Sequence, residues 1–388
     1  NSSHTLQFRD VHVDRQALRK RNGKSRGYGA AVSYLDLDGD GDTDIFMSAE
    51  SGAKDVKQVS EVYLNDGFNS FTLDRDFFAN PPVSNTPRKS IIGDYNGDGK
   101  EDIYVANTGW DYQPFSGEAP VLILSSATGY TTSVLNGFSG FQHGAASADV
   151  DADGDLDIIG SLTSSTVKSN TGVWMLINDG SGNFVPKKLQ NVGVSRTGYY
   201  TVELVDVDQD GYVDLLLGGS KWTGKSVAMT EIYWGSELGD YSNWNKTILP
   251  AVPGYIFAID IDVGDIDNDG DKDIILNRTG SDEGLGTYIG YHVQILKNNG
   301  DRSFSQSSSI VSETVPFNMG IGKKGGWFLW IRLVDMNNDG NLDIIVDDAQ
   351  RNLIWINSGS GSFSTLQEIE EDYIHGKKDG KLTSWYMN

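Results

Sequence analysis

The apolar positions of this chain come in short runs separated by polar, acidic or glycine-rich segments, and the runs recur in a fixed order. A small or apolar run such as Ala30 to Leu35, Val202 to Val205 or Leu329 to Val334 precedes an acidic loop. A β-rich run follows the loop each time: Ile45-Phe46-Met47, Ile103-Tyr104-Val105, Ile158-Ile159, Leu215-Leu216-Leu217, Ile274-Ile275-Leu276 and Ile344-Ile345-Val346. Unbroken apolar runs of this length fit strands buried on both faces, sandwiched between neighbouring sheets. A third run follows (Val62 to Leu64, Val121 to Leu124, Val173 to Ile177, Glu231 to Trp234, Val293 to Leu296, Leu353 to Ile356), then a tight turn such as Asn178-Asp-Gly or Asn298-Asn-Gly. A fourth strand is predicted to open on an aromatic: Phe71, Phe184, Trp244, Phe304, Phe363. Each unit therefore reads as a four-stranded antiparallel meander.

The acidic loops share one nine-residue pattern, with oxygen-bearing side chains at positions 1, 3, 5 and 9 and glycine at position 6. The loop starts lie 58, 55, 57, 59 and 70 residues apart, a period of one supersecondary unit per repeat. Including position 7, whose backbone carbonyl is expected to point inward, the first two loops offer Asp36, Asp38, Asp40, Asp42 and Asp44, then Asp94, Asn96, Asp98, Lys100 and Asp102. The third and fourth offer Asp149, Asp151, Asp153, Asp155 and Asp157, then Asp206, Asp208, Asp210, Tyr212 and Asp214. The last two offer Asp265, Asp267, Asp269, Asp271 and Asp273, then Asp335, Asn337, Asp339, Asn341 and Asp343. Alternate carboxylates in a tight turn converge on one centre, which suits a hard cation with six to eight oxygen ligands, Ca²⁺ rather than Mg²⁺. Glycine at position 6 supplies a positive φ. This is not an EF-hand, because position 9 is the last acid and a strand follows at once. About six structural calcium ions are expected, each pinning the turn between first and second strands. The loops with Asn96 and Asn337 are expected to coordinate through the amide oxygen with one carboxylate fewer.

These loops and the aromatic-led fourth strand resemble FG-GAP/VCBS repeats, found in integrin α-chain propellers and in many bacterial secreted proteins. The resemblance spans residues 28 to 370 and implies an all-β fold, a calcium-binding β-propeller of four-stranded antiparallel blades. On this reading residues 1–388 are a single propeller domain with six calcium-loop blades near 28–85, 86–140, 141–197, 198–254, 255–325 and 326–370. The termini, 1–27 and 371–388, are expected to join as a seventh blade, with a six-bladed ring as the alternative. The resemblance says little about activity, since such repeats serve adhesion, glycan binding and some catalysis alike.

Composition narrows the choice. The 388 residues carry 31 Lys and Arg against 54 Asp and Glu, a formal charge of −23, which argues against a nucleic-acid binder. There is no cysteine, so disulfides, thiolate metal sites and a cysteine nucleophile are excluded. No apolar run reaches the roughly 18 residues a membrane span needs, and Asn1-Ser2-Ser3-His4 carries no basic-then-apolar signal pattern. An extracellular, cell-surface or periplasmic setting is expected, where millimolar calcium is available.

In a propeller the calcium loops share one face with the third-to-fourth turns. The opposite face then carries the longer connections, and with them Trp110, Tyr112, Trp222 and Tyr288 together with Lys54, Lys57, Lys168, Arg196, Lys221, Lys225, Lys323 and Lys324. Binding is expected there. Counting back six and eight residues from each loop start places Tyr28, Arg88, Phe141, His143, Tyr200, Phe257 and Trp327 on one strand face at a channel mouth, as ligand-binding candidates. Aromatic faces suit sugar rings, and the Arg88 fork suits a carboxylate or sulfate. Two functions follow: a glycan- or protein-binding adhesion or carbohydrate-recognition module, and a lyase on an acidic polysaccharide using Arg88, His143 and Tyr200. The expected partner is a glycan, an extracellular protein or an anionic polysaccharide. The domain is expected to be monomeric, within a larger secreted protein. Asn245-Lys-Thr and Asn277-Arg-Thr match glycosylation sequons.

Overall fold

A computed structural model describes residues 30–368 except 52–53, 69, 112–114, 165–169, 194–198, 221–226, 281–287, 307–310, 314–326, 338, 347–352 and 364–366. The structure is all-β, a propeller of six four-stranded antiparallel blades among the described residues. The chain divides into two compact units, one of residues 1–147, 154–187 and 369–388, the other of 148–153 and 188–368.

The first unit holds three blades. Blade one pairs β1 (Ala30–Leu35), β2 (Asp44–Ala49), β4 (Glu61–Asn65) and β5 (Phe71–Asp74), with a side ladder of β3 (Gln58–Val59) and β6 (Val83–Ser84). Blade two is β7 (Pro87–Gly93), β8 (Asp102–Asn107), β9 (Val121–Ser126) and β10 (Gly129–Val134). Blade three is β11 (Phe141–Ala148), β12 (Asp157–Ser164), β13 (Gly172–Asn178) and β14 (Phe184–Lys188). The second unit holds blade four, β15 (Val202–Val205), β16 (Asp214–Leu217), β17 (Glu231–Tyr233) and β18 (Lys246–Ile248). Blade five is β19 (Phe257–Gly264), β20 (Asp273–Thr279), β21 (Tyr291–Asn298) and β22 (Phe304–Gln306), with β23 (Val311–Glu313) also on β21. Blade six is β24 (Ile331–Val334), β25 (Asp343–Val346), β26 (Leu353–Trp355) and β27 (Gln367–Glu368). The terminal segments expected to close a seventh blade lie outside the described residues.

The second strands of blades two, four and five are buried end to end, as their unbroken apolar runs predict. Their period of two feeds both neighbours at once. Ile103 and Val105 of β8 pack with Phe46 and Val62 of blade one, while Tyr104 and Ala106 pack with Ile158 and Leu176 of blade three. In the second unit Ile274 and Leu276 of β20 meet Leu216 and Ile232 of blade four, while Ile275 meets Ile331, Ile344 and Trp355 of blade six. At about 25 cal/mol per Å² of apolar area removed from water, these interfaces dominate the energetics of the fold.

The turn asparagines do more than turn the chain. The side-chain amide of Asn178 donates to Leu156 O in its own blade (3.1 Å) and to Tyr95 O in the loop of blade two (2.8 Å). Asn298 does the same to Lys272 O (3.1 Å) and Val207 O (3.3 Å), and Asn357 to Leu342 O (3.0 Å) and Ile266 O (2.7 Å). Each ties the second residue of the preceding blade's loop to the blade that follows. Asn65 makes the bond within its own blade, to Thr43 O at 3.2 Å.

Trp244 departs from the expected pattern. The fourth strand of blade four begins at Lys246, and Trp244 stands on the turn before it with 97% of its surface exposed. The place of an interblade aromatic is taken by Trp234, which stacks with Phe304 at 6.5 Å. Of the two sequons, Asn277 is buried and donates to Phe328 O and Leu329 O, whereas Asn245 is exposed.

Candidate metal loops and candidate ligand site

Each acidic loop is wound around its first aspartate. In blade one the Gly39 and Gly41 amides donate to the two Asp36 oxygens at 2.8 and 3.0 Å; in blade two Gly97 and Gly99 donate to Asp94, both at 2.8 Å. The position-3 side chain accepts the amide of position 5 (Asp38 from Asp40, 3.1 Å) and position 5 that of position 7 (Asp40 from Asp42, 2.9 Å). The backbone needed for this is left-handed at position 6 in every loop, from φ +83° at Gly99 to +99° at Gly154. In the five loops whose position 4 is described, that residue is left-handed too, which the sequence pattern conceals: Gly39 and Gly97 adopt it freely, but Ala152, Gln209 and Asn268 hold φ of 60°, 61° and 58°.

The result is convergence of oxygens. Among the described residues, one oxygen from each of Asp36, Asp38 and Asp40 lies within 4.8 Å of the others. The same holds for Asp149, Asp151 and Asp153, for Asp206, Asp208 and Asp210, and for Asp265, Asp267 and Asp269. Ligands roughly 2.3–2.6 Å from one calcium ion must lie within about 5 Å of each other, so these sets fit that ion. Asp151 Oδ1 and Asp267 Oδ1 are shut off from solvent with no hydrogen-bond donor, a state a cation would relieve. Burial, followed by the neighbouring carboxylates, raises the pKa of Asp151; burial also leads the rise at Asp38. In the loops with one carboxylate fewer, Asn96 and Asn337 turn their amide oxygens to the position-5 N–H, both at 3.0 Å, as the aspartates do.

Position 9 is wholly buried in all six loops. Asp214 shows its part: one oxygen accepts the Val207 amide at 2.8 Å and the other the Gly235 amide at 2.8 Å. Asp44, Asp102, Asp273 and Asp343 bridge the loop to the end of the third strand in the same way. Burial pushes the carboxyls of Asp44 and Asp273 up to about 6 and that of Asp214 up to about 7, against the amides that hold the charge.

The ligand-binding candidates fall into two groups, one in each unit. In the first, Arg88 forms an ion pair with Asp111 from the long second-to-third connection, and 10% of its side chain is exposed. Arg88 is the extra residue of a β-bulge between Pro87 and Lys89. Ile259, at the same repeat position, sits in a bulge between Ala258 and Asp260. A bulge interrupts the in-out alternation, so the rule that set residues six and eight before the loop on one face fails in these blades. His143 is buried, its ring 5.0 Å from that of Phe141, which meets Phe115 edge-on at 5.5 Å. Burial, and then the Arg88 charge, hold the His143 pKa well below 6.5, so the imidazole is neutral.

In the second unit Tyr200, Phe257, Ile259, Leu329 and Trp330 form one buried cluster, against which Tyr288 and Trp327 pack while staying partly exposed. Tyr288 and Trp327 are stacked with centroids 4.7 Å apart, and the Tyr288 hydroxyl donates to that of Tyr200 at 3.1 Å. Phe257 is completely buried and supports the pair at 6.0 Å from Tyr288. Tyr28 lies outside the described residues, as do Tyr112, Trp222 and most of the long-loop lysines.

Two buried polar groups escaped the sequence reading for want of any motif. Glu231 accepts from the hydroxyls of Tyr199 and Tyr233, both at 2.8 Å, and from Lys246 at 2.6 Å. Arg278 is buried with Nε on Gln294 Oε1 at 2.6 Å, its pKa lowered by burial to about 10. Beside it, burial and then the Arg278 charge bring His292 down to about 4. A histidine with a folded pKa below its unfolded value binds fewer protons when folded. Its contribution is complete above about pH 6.5 and is lost as the pH falls toward 4, worth about 3 kcal/mol at most. His292→Gln should flatten the loss of stability between pH 7 and pH 4 in denaturant titrations. An unchanged pH slope would show that His292 is not responsible.

A family model described as FG-GAP-like repeat matches residues 36–105 and 149–217. No curated protein matches the chain. Among solved structures, the chain is similar to an Agrocybe aegerita lectin described as recognising non-reducing terminal N-acetylglucosamine, at 17% identity and a TM-score of 0.38, over 89% of this chain and 90% of that one. It is also similar to the V. cholerae biofilm matrix protein Bap1, at 11% identity and a TM-score of 0.36, over 88% of this chain and 80% of that one. A Photorhabdus luminescens Tc holotoxin pore matches at 14% identity and a TM-score of 0.36, over 87% of this chain but 14% of that one. The two matched stretches cover the loops of blades one to four, the same nine-residue pattern recurs in blades five and six, and the β-propeller is thus one that carries FG-GAP-like repeats.

Proposed function

We propose that this chain is an extracellular, calcium-stabilised propeller that recognises a glycan, serving as an adhesion or carbohydrate-recognition module. The observation that carries the reading is the stacked Tyr288–Trp327 pair, partly exposed and braced by the buried Tyr200 and Phe257. Rigid aromatic faces bind sugar rings with little ordering entropy, because the braced side chains have already lost their freedom. Arg88 is matched by Asp111 and so offers no free charge to a sulfate or carboxylate, which turns the expectation from an anionic polymer toward an uncharged sugar. The lyase alternative asks for an accessible acid and base, whereas His143 and Tyr200 are both buried.

Calcium would be held by the side chains at positions 1, 3, 5 and 9 and the carbonyl at position 7 of each loop, neutralising carboxylates that otherwise repel. No helix among the described residues is long and apolar enough to cross a membrane. A glycan array in millimolar calcium, repeated with Trp327→Ala, tests the binding site. A loss of roughly tenfold or more in affinity is expected, about 1.4 kcal/mol. Native-strength glycan binding by the variant, or no glycan bound by the native chain, would overturn the reading.

A further inference from the structure

Two loops of the second unit already carry a cation on the third-position carboxylate. In blade four it is Arg302, reaching over from the turn between β21 and β22: Nε donates to Asp208 Oδ2 at 2.5 Å and a terminal N–H to Asp210 Oδ2 at 2.9 Å. Its guanidinium lies 4.9 Å from the centre of the Trp234 ring. In blade five it is Lys297, at the end of β21, whose ammonium donates to Asp267 Oδ2 at 2.5 Å. The other oxygen of Asp267 is the buried Oδ1 that has no donor, so one carboxylate can face both the lysine and an ion in the loop.

The backbone at Arg302 sharpens the point. In the matching turns of blades three and six this position is Gly182 and Gly361, with φ of +74° and +65°. Arg302 holds the same left-handed conformation at φ +62°, which disfavours a non-glycine residue. Blades three and six supply glycine here, and the arginine is kept in place by its contacts with the loop and with Trp234. The glycine of blade six serves the other cation: a Cβ on Gly361 would stand 3.2 Å from Lys297 Cε.

We propose that Arg302 and Lys297 are internal counter-ions that set these two loops apart from their sister loops. They neutralise part of the carboxylate charge, so the loops hold their shape at low calcium. They also repel the incoming ion, so these loops bind it more weakly than four aspartates would otherwise allow. The proposal rests on the loops being calcium sites.

The test uses Tb³⁺ as the probe and Ca²⁺ as its competitor. Position 7 of the blade-four loop is Tyr212, so the part of the tyrosine-excited Tb³⁺ luminescence that Tyr212→Leu removes reports this loop, with Tyr95 of the blade-two loop supplying signal of its own. Arg302→Gln, and Arg302→Gly as the residue the sister turns use, should each tighten Ca²⁺ at this loop by roughly tenfold. Arg302→Gln should also unfold at lower temperature in EDTA. Lys297→Met should produce the same pair of changes at the blade-five loop, followed by calorimetric calcium titration. Calcium affinity that stays level or weakens in the arginine and lysine variants would overturn the counter-ion proposal while leaving calcium binding intact. A native chain that binds neither Tb³⁺ nor Ca²⁺ would remove the calcium reading itself.

Discussion

Stripping calcium with EDTA lowers the thermal midpoint by on the order of 10–20 °C, the largest change expected for this protein. A ligand that binds only the folded state stabilises by RT ln(1 + [L]/Kd), about 1.8 kcal/mol per site when calcium stands twentyfold above Kd. Six acidic loops add such contributions, about 11 kcal/mol if all six are occupied, and a chain of 388 residues shifts by about 1.2 °C per kcal/mol. The change should reverse on adding back millimolar calcium, because the amides that orient Asp36 and its counterparts are part of the fold and rebuild the site. Differential scanning calorimetry with and without chelator decides the matter, and an unchanged midpoint would show that the loops hold no structural ion. The loops of blades four and five, with Arg302 and Lys297 on their carboxylates, should contribute least to the shift.

Asp214→Asn destabilises the fold by roughly 2–4 kcal/mol although the two side chains have nearly the same shape. Both carboxylate oxygens accept buried backbone N–H groups, from Val207 and Gly235. An asparagine offers one acceptor oxygen and sets its NH₂ against the other amide, donor against donor. Since the two amides stay buried whether or not metal is bound, the loss should appear in denaturant titrations both in calcium and in EDTA. A loss confined to calcium-loaded protein would mean that Asp214 acts through the ion alone.

These expectations show what a repeat can reveal by itself. The blade is legible because its strands are local and its loops repeat: the buried run Ile103-Tyr104-Val105, the glycine at position 6 and the alternating aspartates each follow from a short-range rule. The channel-mouth alignment was less legible because it counted residues along a strand as if the pleat were unbroken. The bulges at Arg88 and Ile259 shift the alternation, and no residue type announces them. Phe141, Tyr200 and Phe257 are buried, which the sequence did not reveal, since an aromatic near a loop carries no mark of which side of it meets solvent. Asp111 was equally hidden, because pairing with Arg88 depends on where a long connection folds back. Arg302 could have been found by aligning the third-to-fourth turns, where it stands in place of the glycine of blades three and six.

The asparagine that ties a loop to the following blade also fixes an order of events during synthesis. Asn178 bonds a carbonyl 83 residues earlier in the chain, and Asn298 and Asn357 bond carbonyls 91 residues earlier. In each case the amide leaves the ribosome long after the turn it secures. A nascent chain that has just completed blade four or blade five therefore carries a turn whose second carbonyl has not yet met this amide, and that turn waits for most of another blade to emerge. Release of the chain at a blade boundary would leave the last such turn without its clasp, so shortened products should fray first at that acidic loop.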